Sequence, residues 1–332
     1  MRLPPPEVRD EVVHGDRLVE IEREWRCLDE GGPPLAVERT VRRGGPTRPP
    51  VVLVHGFAQN RYTWRISGRS MVAALADAGF EVLSLELRGH GLSRELGSGN
   101  ATAFTEYIDD LVRVVESCDQ PPFCIGHSLG GAVIVGAASR VELAGLVPIA
   151  GIYTFATRNP TLRLLGKATL AAEQALRATP VRMSTGWAGR VLGRLYSITD
   201  IAGYGFPISG WVPGSLERDL LEERLAIGFD WTSVEVWIEM SRWANGAPVP
   251  GTERFGEVDV PLLVIVGDAD PLVRPPDARA CFDASGSDDK QLVVMDAFHH
   301  RVHWGHVDLI LGKDAPEFVW PLVLDWLEAR AS

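Results

Sequence analysis

The stretch Phe123-Cys124-Ile125-Gly126-His127-Ser128-Leu129-Gly130-Gly131 decides how the rest of the chain is read. Three apolar residues run directly into Gly-x-Ser-x-Gly, and a segment rich in small residues follows. That context is a buried strand, a sharp turn and a helix, with the serine hydroxyl presented on the turn. Glycines on both sides suit a turn whose neighbouring backbone leaves no room for a Cβ. Ser128 would then sit at a helix N-terminus, where free N–H groups favour developing negative charge. It is the candidate nucleophile.

Outward from this turn, the chain alternates strand and helix. The run Val51-Val52-Leu53-Val54 is continuously apolar, which suits a parallel strand buried on both faces. Strands are expected at 82–87, 123–125 and 146–149, with helices at 70–78, 104–117 and 129–140. This spacing means βαβ units and a parallel sheet. Two further strand-like patches, 19–25 and 35–41, flank the turn Gly31-Gly32-Pro33-Pro34. Between about 152 and 257 the alternation stops. Helices are expected there at 162–177, 188–197, 216–226 and 233–244, broken by Pro180, Gly203, Gly205, Pro207 and Pro213. Five of the ten tryptophans fall in this block (Trp187, Trp211, Trp231, Trp237, Trp243). The rhythm returns at 261–266 and 291–295 and ends with a helix at 315–329. The expected organisation is a core of 1–151 and 258–332 interrupted by a helical cap, 152–257.

Acyl transfer at a serine needs oxyanion donors, a base and an acid to orient the base. The backbone N–H of Leu129 supplies one donor, and that of Phe57, after the strand ending Val54-His55-Gly56, supplies the other. His55 reads as a loop histidine organising backbone groups. Chain order in such enzymes is serine, acid, histidine. After 261–266 come Gly267-Asp268-Ala269-Asp270, and Asp270 is preferred because Asp268, next to glycine, suits a turn. Four of the eight histidines follow the last strand: His299, His300, His303 and His306. His306 is preferred as base, since Gly305 gives a tight loop there, with His303 and His300 as alternatives. The same cluster could ligate zinc, but ring spacing would need a helix across Gly305, and no cysteine lies near. No metal and no cofactor is expected.

Bulk properties narrow the partners. The chain has 332 residues, 45% hydrophobic and 23% charged, with net charge −11. A strongly acidic chain without a basic tract is a poor ligand for nucleic acid or anionic membranes and favours neutral substrates. No run approaches the roughly 18 apolar residues of a membrane span. The four scattered cysteines suggest neither a zinc site nor a disulfide framework. Together with an N-terminus lacking an apolar stretch, this reads as cytoplasmic.

Taken together, His55-Gly56-Phe57, Leu87-Arg88-Gly89-His90-Gly91-Leu92-Ser93, Gly126 to Gly130 and Gly267 to Asp270 resemble the α/β-hydrolase family from about residue 35 onward. The resemblance implies the α/β-hydrolase fold, a mostly parallel sheet flanked by helices with an inserted helical cap. The element from Arg88 to Ser93 supports fold more than substrate. Asn60-Arg61-Tyr62-Thr63-Trp64 and Leu75 to Phe80 are similar to polyhydroxyalkanoate synthases. Gly305-His306-Val307-Asp308-Leu309 resembles the histidine segment of those synthases and of acid lipases, and is the main ground for His306. The synthases use cysteine where this chain has Ser128, which favours hydrolysis. Dehalogenases and epoxide hydrolases of this fold use an aspartate nucleophile, which Ser128 excludes. The expected function is a serine esterase or lipase-like enzyme acting on small neutral hydrophobic esters. Acyl transfer, thioester cleavage or polyester depolymerisation at the same serine is the alternative. A non-catalytic receptor using the capped pocket is the reading from another class.

Overall fold

The computed structural model describes residues 3–178, 210–230 and 232–331. Its strands are β1 (Glu7–His14), β2 (Arg17–Leu28), β3 (Leu35–Arg42), β4 (Arg48–Val54), β5 (Arg65–Ile66), β6 (Arg69–Ser70), β7 (Phe80–Glu86), β8 (Phe123–His127), β9 (Gly145–Ile149), β10 (Leu262–Gly267) and β11 (Lys290–Met295). Among the described residues they form one sheet in the order β11-β10-β9-β8-β4-β7-β3-β2-β1-β6-β5. From β11 to β7 neighbours run parallel, and from β7 through β3, β2, β1 and β6 to β5 they run antiparallel.

The apolar runs make this sheet because both faces are covered. Val51 and Leu53 pack into one core with Ile125 and Ile265, whereas Val52 and Val54 pack into the other with Cys124 and Val264. Alternate residues therefore serve opposite layers, and no strand position in β4 beyond Pro50 can be polar without cost. The helices are α1 (Met71–Asp77), α2 (Gly91–Glu95), α3 (Thr105–Glu116), α4 (Leu129–Ala137), α5 (Pro160–Ala171), α6 (Glu173–Ala178), α7 (Arg218–Ile227), α8 (Val234–Trp243), α9 (Pro275–Ala284), α10 (Ala297–His300), α11 (Asp308–Leu311) and α12 (Ala315–Glu328). Helices α3 and α4 contribute to the layer of Val52 and Val54; α1 and α12 contribute to that of Val51 and Leu53.

Several details depart from the expectation. Strand β1 lies in a segment that reads as charged and proline-rich, and α9 was not anticipated. The helix expected over 162–177 is two helices, α5 and α6, meeting at Ala172. Of its leucines Leu162 is buried, while Leu164 and Leu165 are exposed. The helix expected at 188–197 lies outside the described residues, as do Pro180, Gly203, Gly205, Pro207, Trp187 and Trp231.

The described parts of 152–257 are tied to the sheet end that carries Ser128. Asp230 N–H donates to the Ala58 carbonyl (2.9 Å), and Gly91 N–H donates to the Asp230 carboxylate (2.6 Å). Phe104 N–H donates to Glu239 (2.6 Å), and His306 N–H donates to the Gly210 carbonyl (2.5 Å).

Candidate active site

Ser128 is the N-cap of α4 and has φ 56°, ψ −117°. A non-glycine residue there carries backbone strain of about 1–3 kcal/mol, which surrounding bonds must hold. They do so from three sides. Ser128 N–H donates to the Ile149 carbonyl (3.2 Å), and the Ser128 carbonyl accepts from Gly131 (3.0 Å) and Ile152 (3.0 Å). The flanking glycines are sterically required. A Cβ on Gly126 would lie 2.3 Å from the Gly130 carbonyl oxygen, and one on Gly130 would lie 2.1 Å from that of Val54. The chain crosses itself too closely for any side chain.

The two aspartates after β10 take different partners. Asp270 is buried, and its Oδ1 accepts from Leu272 N–H (2.8 Å) and Val273 N–H (3.0 Å). Its Oδ2 meets His306 Nδ1 at 2.7 Å, and His306 is buried too. A carboxylate acceptor assigns the proton to Nδ1. That leaves the Nε2 lone pair of His306 buried and without a partner. Asp268 instead bonds His303 Nδ1 (2.6 Å) and Trp304 N–H (2.9 Å) at the surface. His299 pairs with the Asp296 carboxylate and His300 accepts from Asp296 N–H, so the four histidines turn to three different aspartates and do not converge on one point.

His306 and Ser128 are linked through His127, whose Nε2–H donates to the His306 carbonyl (3.0 Å) with the rings 4.6 Å apart. Burial, aided by the nearby His306, holds the His127 imidazole well below its usual pKa, so it stays neutral. His55 does the same on the other side. Its Nδ1–H donates to the Gly56 carbonyl (2.9 Å) and its Nε2 accepts from Leu87 N–H (3.2 Å). Burial lowers its pKa to about 4. Both ring nitrogens are committed to backbone, which is the organising arrangement expected from the sequence.

The loop after β4 lies against Ser128, since a Cβ on Gly56 would sit 3.1 Å from the serine Cβ. Among the described residues the N–H groups of Phe57 and Leu129 have no hydrogen-bond acceptor. The Phe57 ring packs 5.7 Å from that of Trp237 on α8, so apolar surface from the inserted segment meets this loop.

Three residues here were not singled out from sequence. Asp308 accepts from Gly305 N–H (2.7 Å), Val212 N–H (2.9 Å) and the Ser215 hydroxyl (2.6 Å), holding the histidine loop to the inserted segment. Burial pushes its carboxyl up to about 7 despite those bonds. Its place two residues after His306 was the available signal. Asp230 ties the segment to α2 by pairing with Arg94. Arg224, on α7, is a buried cation, and beside Glu222 and Glu223 nothing in its sequence context distinguishes it from a solvated helix face.

Comparison with known proteins identifies the family. A family model described as "Alpha/beta hydrolase family" matches residues 51–320. The monoacylglycerol lipase of Mycolicibacterium smegmatis is 26% identical over 260 residues, covering 76% of this chain and 81% of that one. Epoxide hydrolase B of Mycobacterium tuberculosis is 36% identical over 86 residues, which is 26% of this chain and 23% of that protein. The chain thus matches only about a quarter of that relative's length. Among solved structures, a soluble variant of monoglyceride lipase from Saccharomyces cerevisiae superposes with TM-score 0.63 at 17% identity, covering 96% of this chain and 97% of that one. The monoacylglycerol lipase of Paleococcus ferrophilus gives TM-score 0.61 at 21% identity, covering 89% and 99%. With 51–320 matched by that model, the chain belongs to the Alpha/beta hydrolase family.

Proposed function

We propose that the chain is a serine carboxylic ester hydrolase, esterase or lipase-like, with Ser128 as nucleophile, His306 as base and Asp270 as orienting acid. The observation that carries this reading is the buried Asp270–His306 pair at 2.7 Å, which leaves Nε2 without a partner on a ring 4.6 Å from that of His127, the residue before the strained serine. His306 Nε2 takes the Ser128 Oγ proton as Oγ attacks the ester carbonyl. The N–H groups of Phe57 and Leu129 receive the oxyanion. His306 then returns the proton to the departing alcohol, and a water molecule, deprotonated in the same way, releases the acid and restores Ser128. No cofactor takes part in these steps.

The segment 152–257 acts as a cap over this site in our reading, supported by its bonds to Ala58, Gly91 and His306 and by the Phe57–Trp237 contact. An apolar roof suits a hydrophobic acyl or alcohol group. The lipase relative is consistent with such a substrate. The epoxide hydrolase likeness does not carry its chemistry here, because an alkyl-enzyme ester needs a carboxylate nucleophile and position 128 is serine. Among the described residues no helix is long and apolar enough to cross a membrane. The free thiols of the four cysteines support a cytoplasmic setting, where cysteines stay reduced.

The test is fluorophosphonate labelling together with hydrolysis of p-nitrophenyl esters. Wild type should label and turn over. Ser128→Ala should fold normally, fail to label and lose activity by many powers of ten, on the order of 10⁶ in kcat. A Ser128→Ala protein keeping a tenth of wild-type activity sinks the assignment.

A further inference from the structure

Four arginines are buried among the described residues: Arg23, Arg69, Arg88 and Arg224. Three face carboxylates. Arg23 pairs with Glu11 (2.5 Å), Arg69 with Glu217 (2.7 Å) and Arg88 with Asp110 (2.6 Å). Arg224 does not. It is 4% exposed, and its Nε and Nη1 have no hydrogen-bond acceptor. Burial alone lowers its pKa, to about 10, with no acidic group acting against it. A guanidinium stays ionised in any protein, so it cannot relieve this by losing its proton. A buried cation without a partner is costly, and the cost falls when an anion arrives.

The place of Arg224 says which anion. Residues just after it hold the loop that carries Phe57: the Ile227 carbonyl accepts from Asn60 Nδ2 (2.9 Å), Phe229 bridges to Gln59, and Asp230 N–H donates to Ala58. Burial is the main cause of the low protonation of His55 and His127, the histidines on either side of the serine turn, and the Arg224 charge adds a smaller push in the same direction at both. Phe229 covers one side of the guanidinium at 5.4 Å. Gly228 makes room for it, since a Cβ there would lie 1.6 Å from Nη1.

We propose that Arg224 anchors a carboxylate carried by the substrate, so that the preferred esters are singly anionic, such as half-esters of dicarboxylic acids or esters of hydroxy acids. This rests on the ester-hydrolase reading above and revises the neutral substrate suggested by the net charge. A planar fork of donors matches a carboxylate, and one buried cation can outweigh the weak long-range repulsion of an acidic surface.

The experiment measures kcat and KM of the full chain by acid release for three substrate sets. These are monoethyl succinate, adipate and suberate; butyryl and hexanoyl glycolate; and uncharged ethyl esters of matched length. Wild type should prefer one anionic set over its neutral match by about tenfold to a hundredfold in kcat/KM, mostly through KM. In Arg224→Met that ratio should fall to about one, and in Arg224→Lys to an intermediate value. A ratio within one protein is insensitive to general loss of packing. Should Arg224→Met fail to fold, the wild-type ratio and the drop in Arg224→Lys still decide. A wild-type ratio at or below one in both anionic sets overturns the proposal, as does an unchanged ratio in Arg224→Lys and Arg224→Met. If those enzymes still label with fluorophosphonate and hydrolyse neutral esters, the serine-hydrolase reading stands while the anion anchor falls. A wild type that neither labels nor turns over any ester counts against both.

Discussion

Asp268 and Asp270 sit two residues apart at the end of β10, and each has a histidine on Nδ1, at 2.6 and 2.7 Å. Distance does not separate them. Burial does, because Asp270 and His306 are both within 2% of full burial, whereas the His303 side chain is 65% exposed. In water the Asp268–His303 pair is worth little and is screened by salt. Away from water the Asp270 carboxylate, already held by Leu272 and Val273, fixes both the ring and its tautomer. Asp270→Asn should therefore lower kcat by about 10⁴ with little change in KM. Asp268→Asn should cost less than about tenfold, through a looser Trp304 loop, by the usual scale of one surface hydrogen bond. Steady-state kinetics on one p-nitrophenyl ester decides, and the reverse ranking would move the acid to Asp268. The sequence offered both aspartates and both histidines, and its preferences for Asp270 and His306 name the pair that the fold buries together. It could not supply the exposure that tells the pairs apart, which depends on how Gly210 and Val212 of the inserted segment cover the histidine loop.

Among the elements, the ones most readable in sequence are those whose environment is uniform. Strands β4, β8 and β10 are apolar at nearly every position because both faces are covered. Strand β1 escaped because one of its two buried positions is ionic and only Val13 is a buried apolar residue. Glu11 within Glu7–His14 is buried against Arg23 and Arg65 and accepts from the Ser70 hydroxyl (2.5 Å), so a core position carries a charged residue. Those same cations hold its carboxyl down to about 2 against burial, which acts first and upward. Helix α9 escaped because it opens on Pro275-Pro276 and buries few of its residues. The turn from β8 into α4 was legible for a different reason: it is a backbone crossing that only glycine permits. Gly130→Ala would put a Cβ 2.1 Å from the Val54 carbonyl and 2.7 Å from that of His55, both backbone atoms. The strand must then move away from α4, at a cost of about 1–3 kcal/mol or more. Urea unfolding should show a lower midpoint with unchanged slope, and activity should fall with it because Gly56 and Phe57 move. A Gly130→Ala protein as stable and active as wild type would mean that the crossing is looser than 2.1 Å implies.

Across the whole molecule, stability is tied to pH through three histidines kept neutral at the sheet's carboxyl end. His55 is held down to about 4 and His90 to about 3, both chiefly by burial, and His127 lies well below its ordinary value. The bonding explains why. A proton on His55 Nε2 would face the Leu87 N–H, and the Nδ1–H groups of His55 and His90 already serve the carbonyls of Gly56 and Arg88. In the unfolded chain each histidine titrates near 6.5. Their folded values are depressed, so the stability they confer is present above about 6.5 and is lost as pH falls toward 4 and 3. Asp308 works the other way. Its folded value is raised to about 7, so its contribution is present below its unfolded value near 4 and is lost as pH rises through 7. Between pH 4.5 and 6 the unfolded chain thus takes up three protons that the native protein refuses, while the native protein holds one that the unfolded chain releases. The balance of two protons gives a slope on the order of 1–3 kcal/mol per pH unit, with stability falling on acidification. Urea unfolding at pH 7, 6 and 5 measures it. His90→Asn, whose amide can replace the Nδ1–H bond to Arg88, should flatten the slope by about one proton, and Asp308→Asn should steepen it by one. An unfolding free energy that stays constant from pH 7 to pH 5 would mean that these buried histidines accept protons in the native state.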